Sequence, residues 1–378
     1  MNREEFIDRL SESKSNVVDY DGKIWKAKDL FDLAYRTRYS DVKLSTTDNP
    51  VELFVDLIGA VLGGGTVVAG KKLPSTPIPE DCQWVSFTSG STGEPKAIAH
   101  KIENLIAPTE VLWRVHGVNE NDTFFNIIPT VTCITLTMGI MPMLLGNGTA
   151  YCEKFNPYTT PAKFNQVKPT MMTLPPGAYS AIRRTKEWQD VKLDRMRYCL
   201  SGSNFVAPGY FDDIKSKGGV PLNGYGSTEI PGNCTAYPHS DYLGKEWYPG
   251  VEWKVTDDNQ LALKWAHMED FWISGDLVEV DPEHGIKIVG RLNNMFKYME
   301  RKVFPEVYEN LIKSKIPTVT ECLVKMENDR LVLLFEGEAD VDVIRGELGQ
   351  IVPQEMIPKR IQQVIGLPRT PLGKLVRS

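Results

Sequence analysis

The sequence predicts an α/β protein: a large N-terminal part of layered α/β sheets, followed by a separate small α+β C-terminal domain. Three observations lead there. Short apolar runs of strand character alternate with stretches whose apolar residues recur at spacings of three and four. The 378-residue chain, 42% hydrophobic and 24% charged, has the composition of an ordinary globular protein and the length for two or three domains at about 150 residues each. After Gly290 the texture changes, and GRLNNMFKYMERKVFP is charged and turn-rich.

KDLFDLAYRT (residues 28–37) and VELFVDLIGAVL (51–62) space Leu, Phe, Val and Ile as amphipathic helices do, and GGGTVVAG after the second reads as a glycine stop leading into a strand. Trp84–Phe87 and Ala97–His100 read as strands flanking a loop. From Thr123 to Cys152 there is no charged residue, and Ile127–Leu145 is apolar enough to raise a membrane span. Pro129, Gly139, Pro142 and four threonines interrupt any continuous helix there, so a buried strand or loop followed by a buried helix is expected. Thr170–Leu174, Arg197–Leu200 and Val220–Leu222 are short and β-like, separated by helical stretches such as Pro208–Lys217. Beyond the boundary at Leu292–Asn293 come a helix, two strands (ECLVKM and RLVLLFE) joined at ENDR, a helix near 340–350, and a last strand in RIQQVIG. The division is thus 1–291 and 292–378, the second part a domain of roughly 85 residues.

A formal charge of −6 with no Lys/Arg cluster argues against a nucleic-acid-binding face. The six cysteines are scattered without CxxC pairs or zinc-ligand spacing, and read as reduced core thiols. MNREEFIDRL is charged where a signal peptide would be apolar. A cytoplasmic protein without a membrane span is expected.

The stretch FTSGSTGEPKAIAH, Phe87–His100, carries the first chemistry. Its glycines and hydroxyls give a loop whose backbone N–H groups could surround phosphate oxygens, and Lys96 adds a point charge. It is not a Walker A loop, since Pro95 precedes the lysine, Ala97 follows it, and the proline blocks the helix such a loop would start. Taken alone, it reads equally as a surface turn.

Four further segments follow in order: NGYGSTEIPG (Asn223–Gly232), WISGDL (Trp272–Leu277), GRLNNMFK (Gly290–Lys297) and LPRTPLGKLVR (Leu367–Arg377). With TSGSTGEPK they resemble the successive motifs of the adenylate-forming superfamily, which comprises acyl- and aryl-CoA synthetases, nonribosomal peptide synthetase adenylation domains and luciferase. The resemblance runs from about residue 80 to the end, with a weaker echo in NVVDYDGKIWKAKDLFDLAYR. It implies a large N-terminal domain, a small mobile C-terminal domain and a two-step reaction. ATP and a carboxylic acid give an acyl-adenylate and pyrophosphate, and the acyl group then passes to a thiol, either CoA or the phosphopantetheine of an acyl carrier protein, or to an amine or hydroxyl. A nucleotide-binding homologue without catalysis is a third reading, against which Lys96, Glu229, Asp276 and Lys374 argue.

By that resemblance Thr88, Ser89, Gly90, Ser91, Thr92, Gly93 and Lys96 form the loop that grips the β- and γ-phosphates. Gly202 and Ser203, with Asn223, Tyr225, Gly226 and Ser227, form the nucleotide platform, Tyr225 against adenine and Asn223 at its edge. Thr228 takes a phosphate and Glu229 the magnesium ion, which binds through a carboxylate together with substrate phosphates; without the family, Glu229 reads as a helix-start acid. Asp276 matches the ribose-binding aspartate, Ser274 stands where threonine is commoner, and Arg291 matches the arginine contacting the nucleotide. Lys374 matches the lysine that reaches from the small domain to the α-phosphate, where charge builds in the transition state.

The departures bear on the second step. The hinge residue, commonly Asp or Lys, is Asn293. Glu300 stands where the family usually has the glycine lining the pantetheine tunnel, and puts bulk and negative charge in the path of a thiol arm, which counts against CoA. The region before the phosphate loop is short for the family, so part of the acyl-pocket wall could come from a partner, including a second subunit in a homodimer. PTVTCITLTMGIMP, Pro129–Pro142, lacks the aspartate that would pair with the ammonium of an α-amino acid. With Ser201–Phe205 and Ile230–Thr235 it would line a small apolar pocket for a neutral aryl or short acyl acid. His100 could lie near that pocket, in the core or on the surface.

Overall fold

The computed structural model describes residues 1–88, 96–129, 131–202, 206, 208–369 and 375–377. An eight-stranded sheet is central. Its order is Thr235–Tyr237, Pro221–Tyr225, Tyr198–Gly202, Met171–Thr173, Thr123–Asn126, Thr149–Cys152, Asn16–Val18, Ile24–Lys26. The six inner strands run parallel and the two outer ones antiparallel.

Successive residues of a strand point to opposite faces, and here both faces are covered. Phe124, Met171 and Leu200 enter one apolar core, while their neighbours Phe125, Met172 and Cys199 enter another. That is why adjacent positions such as Phe124–Phe125, Met171–Met172 and Cys199–Leu200 are both apolar instead of alternating with polar residues.

The first core continues into a second sheet, Val42–Ser45, Thr66–Ala69, Trp84–Thr88 and Lys96–His100, through Val67, Ala69 and Trp84. Residues of helices Pro50–Gly63 and Ile102–Val115 fill the space between. The first of these is bounded as its sequence requires. Asn49 caps it by accepting from Val51 N–H at 2.9 Å, Pro50 opens it, and Gly64 ends it at φ 79°. In the uncharged segment, Thr135–Ile140 winds as a π-helix continuing into the α-helix Met141–Leu145, entirely buried. Among the described residues no helix is long and apolar enough to cross a membrane. All six cysteines are buried free thiols.

A four-stranded antiparallel meander, Val251–Val255 to Gly285–Arg291, follows with its own core. Next come a 3-10 turn at Leu292–Asn294, the hairpin Phe296–Tyr298/Arg301–Val303, and helix Pro305–Lys315. Strands Val319–Glu327, Arg330–Gly337 and Arg360–Gln363 and helix Val341–Leu348 complete this C-terminal part around a separate apolar core, drawn wholly from residues after 302.

Candidate functional site

The two stems of the serine- and glycine-rich loop are adjacent strands. Thr88 ends one and Lys96 begins the other, directly opposite, and the Thr88 hydroxyl donates to the Lys96 carbonyl at 3.4 Å. Ser89, Gly90, Ser91, Thr92 and Gly93 lie outside the described residues. Strand alternation places Lys96, Ile98 and His100 on one face, with Lys96 about 13 Å from His100 along the strand.

His100 marks where that face leads. It is buried, 3% exposed, and its Nε2 lies 2.6 Å from the Thr228 carbonyl. A carbonyl only accepts, so the ring carries its proton on Nε2. Nδ1 is then the acceptor for the Asn104 amide at 3.4 Å, and the Asn104 oxygen takes a hydrogen bond from His267 Nε2 at 2.8 Å. Burial holds His100 below the ordinary histidine range, in keeping with the neutral tautomer this pattern needs.

Thr228 belongs to the other sheet's contribution. Gly202 and Gly224 face each other on parallel neighbours, and a Cβ on Gly202 would stand 2.5 Å from the Gly224 carbonyl oxygen. A Cβ on Gly226 would be 2.1 Å from the Gly232 oxygen, so only glycine lets the chain double back there. Residues 228–230 form bends, and no helix starts at Glu229, which corrects its reading as a helix-start acid. The Ser227 hydroxyl donates to the Glu229 carboxylate. Asn223 directs both amide hydrogens inward, to the carbonyls of Ser240 at 2.9 Å and Tyr242 at 3.2 Å. Its side-chain oxygen is what it could still offer a ligand.

The meander supplies the third component. Asp276, 8% exposed, receives the Tyr225 hydroxyl on Oδ2 and Arg291 Nε on Oδ1 at 2.8 Å. Its backbone N–H goes to Ser274 Oγ at 3.0 Å, and Arg291 Nη2 donates to the Ser274 carbonyl at 3.2 Å. Burial raises the carboxyl above its usual range, against the opposing pull of Arg291 and of the Tyr225 hydrogen bond. Burial, then the carboxylate, push Tyr225 far up, so it remains a donor. Each carboxylate oxygen keeps a further lone pair for a ligand hydroxyl.

Residues from Lys96 to Arg291 thus converge in contacting groups: Tyr225–Asp276–Arg291, Ser227–Glu229, and the Lys96 strand with Thr228 through His100. Ser203 and Lys374 lie outside the described residues. For magnesium, Glu229 offers one carboxylate, suited to an ion that arrives on a triphosphate and completes its shell with phosphate oxygens. Glu300 occupies the tip of the hairpin, where it and Met299 adopt φ values of 59° and 48° between the paired Tyr298 and Arg301. Positive φ at both positions is what a two-residue hairpin turn of this kind demands. Motif reading alone did not show the His100–Thr228 contact, whose signal is no more than a histidine ending the strand after the loop.

Comparison with known proteins bears on the family and the fold. The sequence profile described as "AMP-binding enzyme" matches residues 11–267. An indoleacetate–CoA ligase of Aromatoleum aromaticum is 23% identical over 90% of this chain and 74% of its own. Two fatty-acid–CoA ligases, of Bacillus subtilis and Escherichia coli, are also 23% identical, over 81% and 77% of this chain, and the chain spans only 62% and 59% of their lengths. Among solved structures, the anthranilate CoA ligase AuaEII with anthranoyl-AMP superposes with a TM-score of 0.82 at 16% identity, covering 100% of this chain and 97% of that one. The amide bond synthetase McbA of Marinactinospora thermotolerans superposes at 0.78 and 15% identity, over 99% and 98%.

Proposed function

Because the chain belongs to the AMP-binding enzyme family, within the adenylate-forming superfamily, we propose that it is an ATP-dependent ligase that activates a carboxylic acid as its acyl-adenylate. The observation that carries this reading is the buried Asp276 carboxylate, held between the Tyr225 hydroxyl and the Arg291 guanidinium. It is oriented, desolvated, and able to accept from two vicinal hydroxyls such as those of ribose.

In the first step a carboxylate oxygen attacks the α-phosphorus, the bond to the β-phosphate breaks, and pyrophosphate leaves. Both reactants are anions, so the site's task is to hold them in line and offset charge. Thr88, Lys96 and the loop between them hold the β- and γ-phosphates. Gly202, Ser203, Asn223, Tyr225, Gly226 and Ser227 cradle the adenosine, while Asp276 and Arg291 hold the ribose. Thr228 contacts the phosphate. Lys374 brings its ammonium to the α-phosphate from the small C-terminal domain, residues 292–378. Magnesium, bound by Glu229 and phosphate oxygens, would neutralise the leaving pyrophosphate.

For the second step the reading is transfer to a thiol, CoA or the phosphopantetheine of an acyl carrier protein, since several of the similar proteins are CoA ligases. Glu300 at the hairpin tip favours a second reading, in which an amine or hydroxyl takes the acyl group. The absence of an acid in Pro129–Pro142 supports a neutral aryl or short acyl substrate. Carboxylate-dependent exchange of labelled pyrophosphate into ATP, over a panel of aryl, short-chain, long-chain and amino acids, tests the first step. Exchange with one class identifies the substrate family. None with any acid, despite measurable ATP binding, refutes adenylation by this chain alone.

A further inference from the structure

The described residues that flank 370–374 in the chain are tied to each other and to the C-terminal part. Arg369 and Leu375 form an antiparallel bridge, and Val376 N–H donates to the Pro368 carbonyl at 2.9 Å. Both strands of this closure are tied to the C-terminal core. On one side Arg369 lies 3.2 Å from Glu336, whose carboxylate also takes the Leu367 N–H at 2.6 Å. On the other, Arg377 places Nη1 and Nη2 on the two oxygens of Glu309, each at 2.6 Å.

Glu309 is the unusual member. It sits on helix Pro305–Lys315 at 2% exposure, and its Oε1 also accepts from Val324 N–H at 2.8 Å. Burying such a pair costs desolvation that its attraction scarcely recovers, and apolar residues of similar volume generally stabilise a core as well or better. Two parallel hydrogen bonds from a planar guanidinium fix direction as well as position. The pair therefore contributes geometry rather than stability, and what lies beside it in the chain is Lys374, three residues before Arg377.

We propose that the Glu309–Arg377 pair is a positioning device for Lys374, setting where and in which direction the chain bearing the lysine leaves the small domain. This rests on the role in adenylation given to Lys374 above. Misplacing a catalytic group by about 1 Å can lower a rate on the order of 100-fold.

The test uses the full chain, the acid active in pyrophosphate exchange, and two half-reactions: exchange, and consumption of a synthetic acyl-adenylate by the acceptor. Glu309→Gln keeps shape and removes charge; Arg377→Lys keeps charge and removes the fork. Both are expected to lower kcat for exchange about 10- to 100-fold with KM for ATP within about threefold, leaving adenylate consumption unchanged. In a Lys374→Ala background Glu309→Gln should cause no further loss, because it acts through the lysine. Equal losses with and without Lys374, equal damage to both half-reactions, or wild-type exchange in Arg377→Lys would each overturn the proposal. Undiminished exchange in Lys374→Ala would instead refute the underlying role of the lysine. Should Glu309→Gln fail to fold, Arg377→Lys carries the same comparison.

Discussion

Tyr225→Phe isolates one hydrogen bond in the nucleotide platform. The ring, proposed to lie against adenine, stays, and only the hydroxyl donated to Asp276 is lost. That carboxylate is 8% exposed, so water replaces the donor poorly. A hydrogen bond to a charged buried group is worth about 1.5–3 kcal/mol, equivalent to roughly a 10- to 150-fold loss if it falls wholly on ATP affinity. The pH dependence supplies the sign. Burial already raises the Asp276 pKa, and the Tyr225 hydrogen bond opposes that rise; removing it raises the pKa further. In its proposed role Asp276 accepts the ribose hydroxyls as the carboxylate, so kcat/KM for ATP in pyrophosphate exchange should fall as pH drops through this pKa, and in Tyr225→Phe the fall should begin at higher pH. With 2′,3′-dideoxy-ATP, which has no ribose hydroxyl to hold, variant and wild type should be alike. An acid limb that stays put or moves to lower pH, or an equal loss with the dideoxy nucleotide, would refute the coupling of Tyr225 through Asp276 to ribose.

Lys374→Ala should nearly abolish exchange while ATP binding, measured by calorimetry, stays within about threefold, because the lysine acts mainly in the transition state; parallel losses would contradict that. Glu300→Gly should raise CoA-dependent turnover measured by thioester formation, and brisk CoA turnover in the wild type would remove the obstacle assigned to Glu300. Gly226→Ala must displace the Gly232 carbonyl that stands 2.1 Å from the new Cβ. It should cost about 1–3 kcal/mol in chemical denaturation and weaken ATP binding together, whereas a neutral result would mean the 226–232 turn yields easily.

How much of this was legible in the sequence follows from the range over which each feature is encoded. The helix Pro50–Gly63 was, because its cap, opening proline and terminating glycine are local, and the parallel strands Met171–Thr173, Tyr198–Gly202 and Pro221–Tyr225 were, as short β-like runs between helical stretches. The motif residues Tyr225, Asp276 and Arg291 were legible by resemblance, though not that they touch one another. Partnerships made across the fold escaped. His100 and Thr228 are 128 residues apart and Arg377 and Glu309 are 68 apart, and no periodicity links positions brought together by sheet order. The π-helical register of Thr135–Ile140 was equally silent, since its residues are as apolar as those of an ordinary buried helix. Nothing local marks Glu309 as buried, because burial of a charge shows only once its guanidinium partner is placed.

His100 joins the end of a strand in the second sheet to a turn that follows a strand in the eight-stranded sheet. The proposed triphosphate grip and adenosine platform are therefore mounted on separate walls, and the helices between the two sheets would act as a spacer whose thickness sets the span of the site. A nucleotide bound across that seam would gauge the gap as a calliper does. Volume changes among spacer residues such as Leu57 or Leu105, which touch no ligand, would then alter the fit for ATP through the distance between the walls, while each wall kept its own chemistry.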